Sequence, residues 1–218
     1  MAADSAPDWL GACRRSADAI RAMLAEHRTI ADRARETGTR GEGGDRTLII
    51  DQVAEGSTMA DVVFGFVQDF GPDEEWMAVR GEGAQLDGRT LDCSIGERRT
   101  ADGKLEVLGI ESADPRWVVQ SADALADTAH RLRAIGAIAV SLCQVAAGRF
   151  DAMASLKRCR AVDAAAAQLI VREAGGLLEF IAYDDPLAAP LDLEPHSPVI
   201  AARTPEGLAS VRRVPAWP

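Results

Sequence analysis

The sequence predicts a layered α/β or α+β fold. Two apolar periodicities alternate along it: three- to four-residue spacing, as over residues 9–35 and 164–174, and short continuous runs, as over residues 105–110 and 199–202. Gly and Pro stand at most of the junctions between them. The chain has 218 residues and is 47% hydrophobic, enough apolar material for a substantial core in one large domain or two small lobes.

The first predicted helix covers residues 9–35, with Leu10, Cys13, Ala17, Ile20, Met23, Leu24 and Ile30 on one stripe. It ends in the Gly-rich stretch Gly38 to Gly44. Asp45 can cap a second short helix over residues 45–55, stopped by Gly56, in which Asp51 and Glu55 share a face four residues apart. Strands are expected over residues 62–67 and 75–79, joined by a turn at Gly71-Pro72-Asp73. A second hairpin follows over residues 80–89, turning at Asp87-Gly88. The polar stretch 94–104 marks a boundary between an N-terminal lobe, 1–104, and a C-terminal lobe, 105–218. In the second lobe the pattern predicts a strand over 105–110, a helix over 122–131 and a short strand over 132–134. An apolar helix over 138–147 is closed by Gly148, and a further helix over 164–174 ends at Gly175-Gly176. Strands over 177–182 and 199–202 and a helix over 205–211 complete the chain.

Composition excludes several functions. With 34 Asp and Glu against 24 Lys and Arg, the net charge of -10 opposes a sequence-independent grip on a phosphate backbone, so no nucleic-acid partner is expected. No apolar run approaches the roughly 20 residues of a membrane span, and the start lacks the basic end and apolar stretch of a signal peptide. A cytoplasmic protein without a membrane partner is the expectation. Cys13, Cys93, Cys143 and Cys159 show no C-x-x-C spacing, and His27, His130 and His196 lie far apart. Buried free thiols are expected rather than a zinc site.

Two stretches carry most of the chemical information. In Arg160-Ala161-Val162-Asp163, followed by an alanine-rich helix closing in Glu173-Ala174-Gly175-Gly176, the aspartate stands at a helix start. It can cap free N–H groups or offer its carboxylate to a hard cation. Just upstream, Ile135-Gly136-Ala137-Ile138-Ala139 leads into a helix ending Val145-Ala146-Ala147-Gly148-Arg149-Phe150-Asp151-Ala152. In this order the two resemble the C-terminal half of the inositol monophosphatase superfamily, with its G-S/A-x-A turn, V-A-x-G-x-x-D-A helix end and W/V-D-x-A-A helix closing in E-A-G-G. The hairpin Ala78-Val79-Arg80-Gly81-Glu82-Gly83-Ala84 with Asp87-Gly88 is similar to the family's A-x-x-G-x-G-A-x-x-N-G segment. Gly44-Asp45-Arg46-Thr47 and Asp51-Gln52-Val53-Ala54-Glu55 look like its second helix, in the archaeal-type variant.

The resemblance implies an αβαβα sandwich and a Mg2+-dependent hydrolase of phosphate monoesters that uses water as nucleophile. Gathered cations would neutralise the phosphate and lower the pKa of a bound water. Asp163 falls on the family's metal-ligating Asp, and Gly136 and Ala137 fall on the turn that meets the substrate. The implied partners are a small phosphorylated metabolite, a sugar or inositol phosphate, and a second copy in a homodimer. One departure stands out. The family's G-E-E and D-P-I-D-G-S/T segments, which carry most metal ligands, do not occur, and after Glu55 the chain passes directly to what resembles a later strand. The first sheet is therefore expected to be shortened. Asp51 and Glu55 are the nearest candidates to join Asp163 on a cation. The alternatives are a non-catalytic relative acting in binding or assembly, and an internally deleted form of an active phosphatase.

Overall fold

A computed structural model describes residues 8–26, 57–192 and 194–216 of the chain. The predicted second helix, with Asp51 and Glu55, lies outside the described residues, as does the end of the first. Helix α1 (Trp9–Glu26) is capped by Asp8, whose carboxylate accepts the Gly11 N–H at 2.8 Å. Strands β1 (Phe64–Asp69), β2 (Glu74–Val79), β3 (Gly83–Leu86) and β4 (Arg89–Thr90) form an antiparallel sheet in that order. Its third turn places Asp87 and Gly88 at φ of 50° and 72°, the left-handed pair that suits the twist of a two-residue hairpin.

The rest of the chain builds a mixed five-stranded sheet and its helices. In order come β5 (Leu105–Glu111), α2 (Pro115–Gln120), α3 (Ala122–Thr128), β6 (Ala129–Arg133) and α4 (Ile138–Ala146). Then follow β7 (Ala152–Ser155), β8 (Cys159–Arg160), α5 (Ala165–Glu173) and β9 (Leu177–Phe180). Last come β10 (Pro195–Ser197), β11 (Val199–Ala202) and α6 (Pro205–Val211). The sheet order is β6-β5-β7-β11-β9, with β5 parallel to both neighbours, while β8 and β10 pair separately.

The layers follow from which faces are apolar. α4 and α5 share one buried cluster with Trp76 and Ala78 of β2 and Met153 of β7, so they stand between the two sheets. α3 and α6 cover the other face through Leu125, Leu208 and Val211. α1 lies against the first sheet, its Arg14 paired with Glu75 at 2.6 Å. The result is the αβαβα order implied by the resemblance. The inner contact is close: a Cβ on Gly65 of β1 would sit 2.4 Å from the Ala166 carbonyl oxygen of α5, so only glycine fits there.

Several expectations need correction. The helix expected over 122–131 stops at Thr128, because Ala129–Arg133 pairs with β5 as a parallel strand, earlier and longer than the strand expected over 132–134. The strand expected over 177–182 ends at Phe180, and α2, β7, β8 and β10 were not foreseen. Only Cys143 and Cys159 are buried; Cys13 is half-buried and Cys93 exposed. The segment 94–104 makes contacts with the C-terminal part of the chain: Arg98 meets buried Asp151 at 3.0 Å, and the Glu97 carboxylate accepts the Thr204 hydroxyl at 2.6 Å.

Arg203, at the end of β11, fastens the inner helix layer. Its guanidinium is buried and donates to the carbonyls of Ala146 at 3.0 Å and Ala174 at 2.9 Å, the open ends of α4 and α5. Further bonds reach Ile95 at 2.9 Å and Asp92 at 3.3 Å. Arg203→Met removes all four donors while leaving carbonyls in the interior. A loss of about 3 kcal/mol or more in unfolding free energy is expected, read from urea denaturation.

Burial also raises the thiols of Cys143 and Cys159 above their ordinary 9.0, Cys159 to about 12. A raised folded-state pKa leaves the stabilisation whole below the unfolded value and removes it as pH climbs toward the folded one. These thiols should therefore contribute no pH dependence up to about pH 9 and a decline above it. That alkaline decline should be shallower in the Cys143→Ala/Cys159→Ala double variant, measured by urea midpoints from pH 7 to 11.

Candidate functional site

The two parallel strands β5 and β6 send the chain to opposite faces of the sheet. From β5 it passes through α2 and α3 on the outer side, and from β6 it enters α4 on the inner side. Such a divergence leaves a crevice beyond the carboxyl ends of the strands, the usual ligand position in sheets of this kind. A pocket of about 780 Å3 opens there. The ends of β5 and β6 contribute Glu111 to Ala113, Ala134 and Gly136, and the start of α4 contributes Ala137 to Ala139. Phe66 and Val67 of β1, with Arg160, Val162, Asp163 and Ala166, close the other side.

This pocket brings together three of the five residues singled out from the sequence. Gly136, Ala137 and Asp163 all line it, although Asp163 follows Ala137 by a whole helix and strand. Gly136 has φ of 86°, which side chains disfavour, so the turn presents bare backbone to the cavity. Ser112 lines the same wall at φ of 53°, a left-handed conformation rare outside glycine. Asp51 and Glu55 lie outside the described residues.

Asp163 does not cap the helix that follows it. It sits in a short 3-10 turn, Ala161–Asp163, and α5 begins after Ala164 without a side-chain cap. Its carboxylate is instead held by Arg160, whose Nε and Nη2 donate to Oδ2 and Oδ1, both at 2.9 Å. The side chains of this pair are 54% and 39% exposed, so the fork contributes no more than about 1 kcal/mol. Asp163 also acts on its surroundings: after burial, its negative charge is the next cause of the raised Cys159 thiol.

Glu111, which sequence reasoning passed over, is the pocket's second carboxylate. It is 2% exposed and accepts the N–H groups of Ile135 at 3.3 Å and Gly136 at 3.1 Å, and the Ser141 hydroxyl. A lone glutamate ending the apolar run 105–110 was the available signal. The remaining walls are mostly apolar, so charge balance rests on two carboxylates and one guanidinium.

This donor set suits a hard cation at one point. Glu111 is buried and already accepts three donors, whereas Asp163 sits at the half-exposed fork with Arg160, nearer to solvent. Among the described residues no three His, Cys, Asp or Glu side chains gather closely enough to hold a metal.

Comparison with known proteins places this geometry. The profile of the Inositol monophosphatase family matches residues 57–214. The chain is 30% identical over 122 residues to the fructose-1,6-bisphosphatase/inositol-1-monophosphatase of Methanothermobacter thermautotrophicus, covering 56% of this chain and 41% of that one. It is 38% identical over 117 residues to Nus factor SuhB of Haemophilus influenzae, covering 52% and 43%. The chain thus spans less than half the length of these relatives. Among solved structures, the extragenic suppressor protein SuhB of Bartonella henselae superposes with a TM-score of 0.55 at 24% identity, over 70% of this chain and 56% of that one. The inositol monophosphatase of Anabaena gives 0.54 at 21%, over 69% and 60%. Motif order, layer order and profile agree, and the chain belongs to the inositol monophosphatase family.

Proposed function

We propose that the chain is a Mg2+-dependent hydrolase of a small phosphate monoester, a sugar or inositol phosphate, acting in the pocket between β1, the ends of β5 and β6, and the starts of α4 and α5. The observation that carries this reading is the convergence of Asp163 with the Gly136-Ala137 turn on one cavity. The two carboxylates and one guanidinium leave the lining with one net negative charge, which repels a phosphate dianion unless a cation enters with it. Bound Mg2+ supplies that charge and acidifies a water. Asp163 would hold the cation, and the planar fork of Arg160 in the same lining has the shape to match phosphate oxygens. The glycine at 136 lets the ester approach backbone, and the apolar walls exclude bulk water.

A second reading, a non-catalytic member that binds or assembles, is favoured by a separate observation: both oxygens of Asp163 are already engaged by Arg160. A relative that bears the name Nus factor rather than an enzyme's points the same way.

Phosphate release from inositol 1-phosphate and fructose 1,6-bisphosphate, followed across millimolar Mg2+, separates the two. The hydrolase reading expects release that rises with Mg2+ and falls at least about tenfold in Asp163→Asn. It also expects a thermal midpoint that rises with Mg2+, since a ligand of the native state stabilises it. No release from either ester, with a midpoint indifferent to Mg2+, leaves the binding role.

A further inference from the structure

We propose that Glu111 is the positioning residue of this pocket: a buried acceptor that holds the Gly136-Ala137 turn in the shape a ligand meets. Its bearing on a ligand rests on the phosphate-ester reading above, whereas its hold on the turn does not.

Three features lead there. The carboxylate is 2% exposed, and a charge removed from water needs strong compensation. Its described bonds run to neutral donors, the N–H groups of Ile135 and Gly136 and the Ser141 hydroxyl, all within the turn and the helix it begins. Compensation therefore exists only while the turn is closed against the end of β5. The dependence is mutual. Ala134, Ile135 and Gly136 are exposed, so little packing fixes them, and Gly136 occupies a left-handed conformation that glycine holds only weakly by itself. Two backbone hydrogen bonds to one rigidly seated carboxylate supply what packing does not. Ser141, fully buried in α4, extends the same anchor into the helix and fixes the direction in which the turn must leave β6.

Glutamine separates this role from two simpler ones, because it matches glutamate in shape. A space-filling role leaves Glu111→Gln unchanged. A purely electrostatic role makes E111Q bind anions more tightly, since one negative charge leaves the lining. Positioning predicts the opposite sign: the amide oxygen can keep Ile135 and Ser141, which share Oε1, but the amide then turns a donor toward the Gly136 N–H that Oε2 accepts at 3.1 Å, the turn opens there, and ligand binding weakens.

The test combines amide hydrogen exchange, read by NMR, with kinetics. In E111Q the amide of Gly136 is expected to exchange at least about tenfold faster, with a smaller rise at Ile135, while those of β11 keep their rates. Ser141→Ala, which removes one donor and leaves the carboxylate, should show a smaller acceleration at the same two amides and serves if E111Q does not fold. With inositol 1-phosphate and saturating Mg2+, KM is expected to rise about tenfold with a lesser change in kcat. Unchanged exchange at Gly136, or a KM that falls, overturns the proposal. If the unaltered chain hydrolyses neither phosphate ester, the hydrolase reading falls by itself, and the exchange rates alone decide whether Glu111 holds the turn.

Discussion

The inner helix layer depends on one buried cation. α4 and α5 both point their carbonyl ends at Arg203, whose guanidinium meets Ala146 and Ala174 at 3.0 and 2.9 Å. Helix ends leave carbonyls without intrahelical partners and carry partial negative charge, so a single planar cation between two of them satisfies both at once. The pin at one end sets what happens at the other. With their ends held together, the two helices bring their starts to one place, and there the Gly136-Ala137 turn and Asp163 face the same cavity. The pocket is thus a consequence of sheet topology at one end of the layer and of a buried arginine at the opposite end.

Much of the fold was legible because local and tertiary preferences agreed. Gly71-Pro72-Asp73 and Asp87-Gly88 turn where turn chemistry says they should, and the apolar run Val199–Ala202 and helix Pro205–Val211 have the bounds expected of them. The failures have one physical character. Residues 129–131 continue a helical pattern, but pairing with β5 draws them into a strand; Ala152–Ser155 is buried on both faces, so it shows no alternation to read. Tertiary context overrode propensity in the first case and erased periodicity in the second.

The site was legible to a different degree. Family order singled out Asp163, Gly136 and Ala137, and the structure gathers all three at one pocket. What sequence could not show was polar residues whose role is set by distant partners. Arg203, in Ala-Ala-Arg-Thr-Pro, reads as a loop arginine, yet it reaches back 108 residues to Ile95. Glu111 reads as the polar end of a strand, yet its partners lie 24 to 30 residues on. Asp163 was open between a cap and a ligand; it does not cap α5, and Arg160 three residues before it meets both of its oxygens.

That pairing locates the question of activity in one exchange. The Arg160 fork is half exposed, so solvent screens it and its loss is inexpensive. A buried pair would have locked Asp163 away from any cation; an exposed one leaves it available. The pocket's charge acts in the same direction, since two carboxylates against one guanidinium favour an arriving cation before an arriving anion. On the hydrolase reading, a cation at Asp163 would offset the net negative charge by which the lining otherwise repels a phosphate. On that reading the two ligands would be coupled, and by reciprocity a phosphate ester would tighten the hold on the cation as much as the cation tightens the hold on the ester.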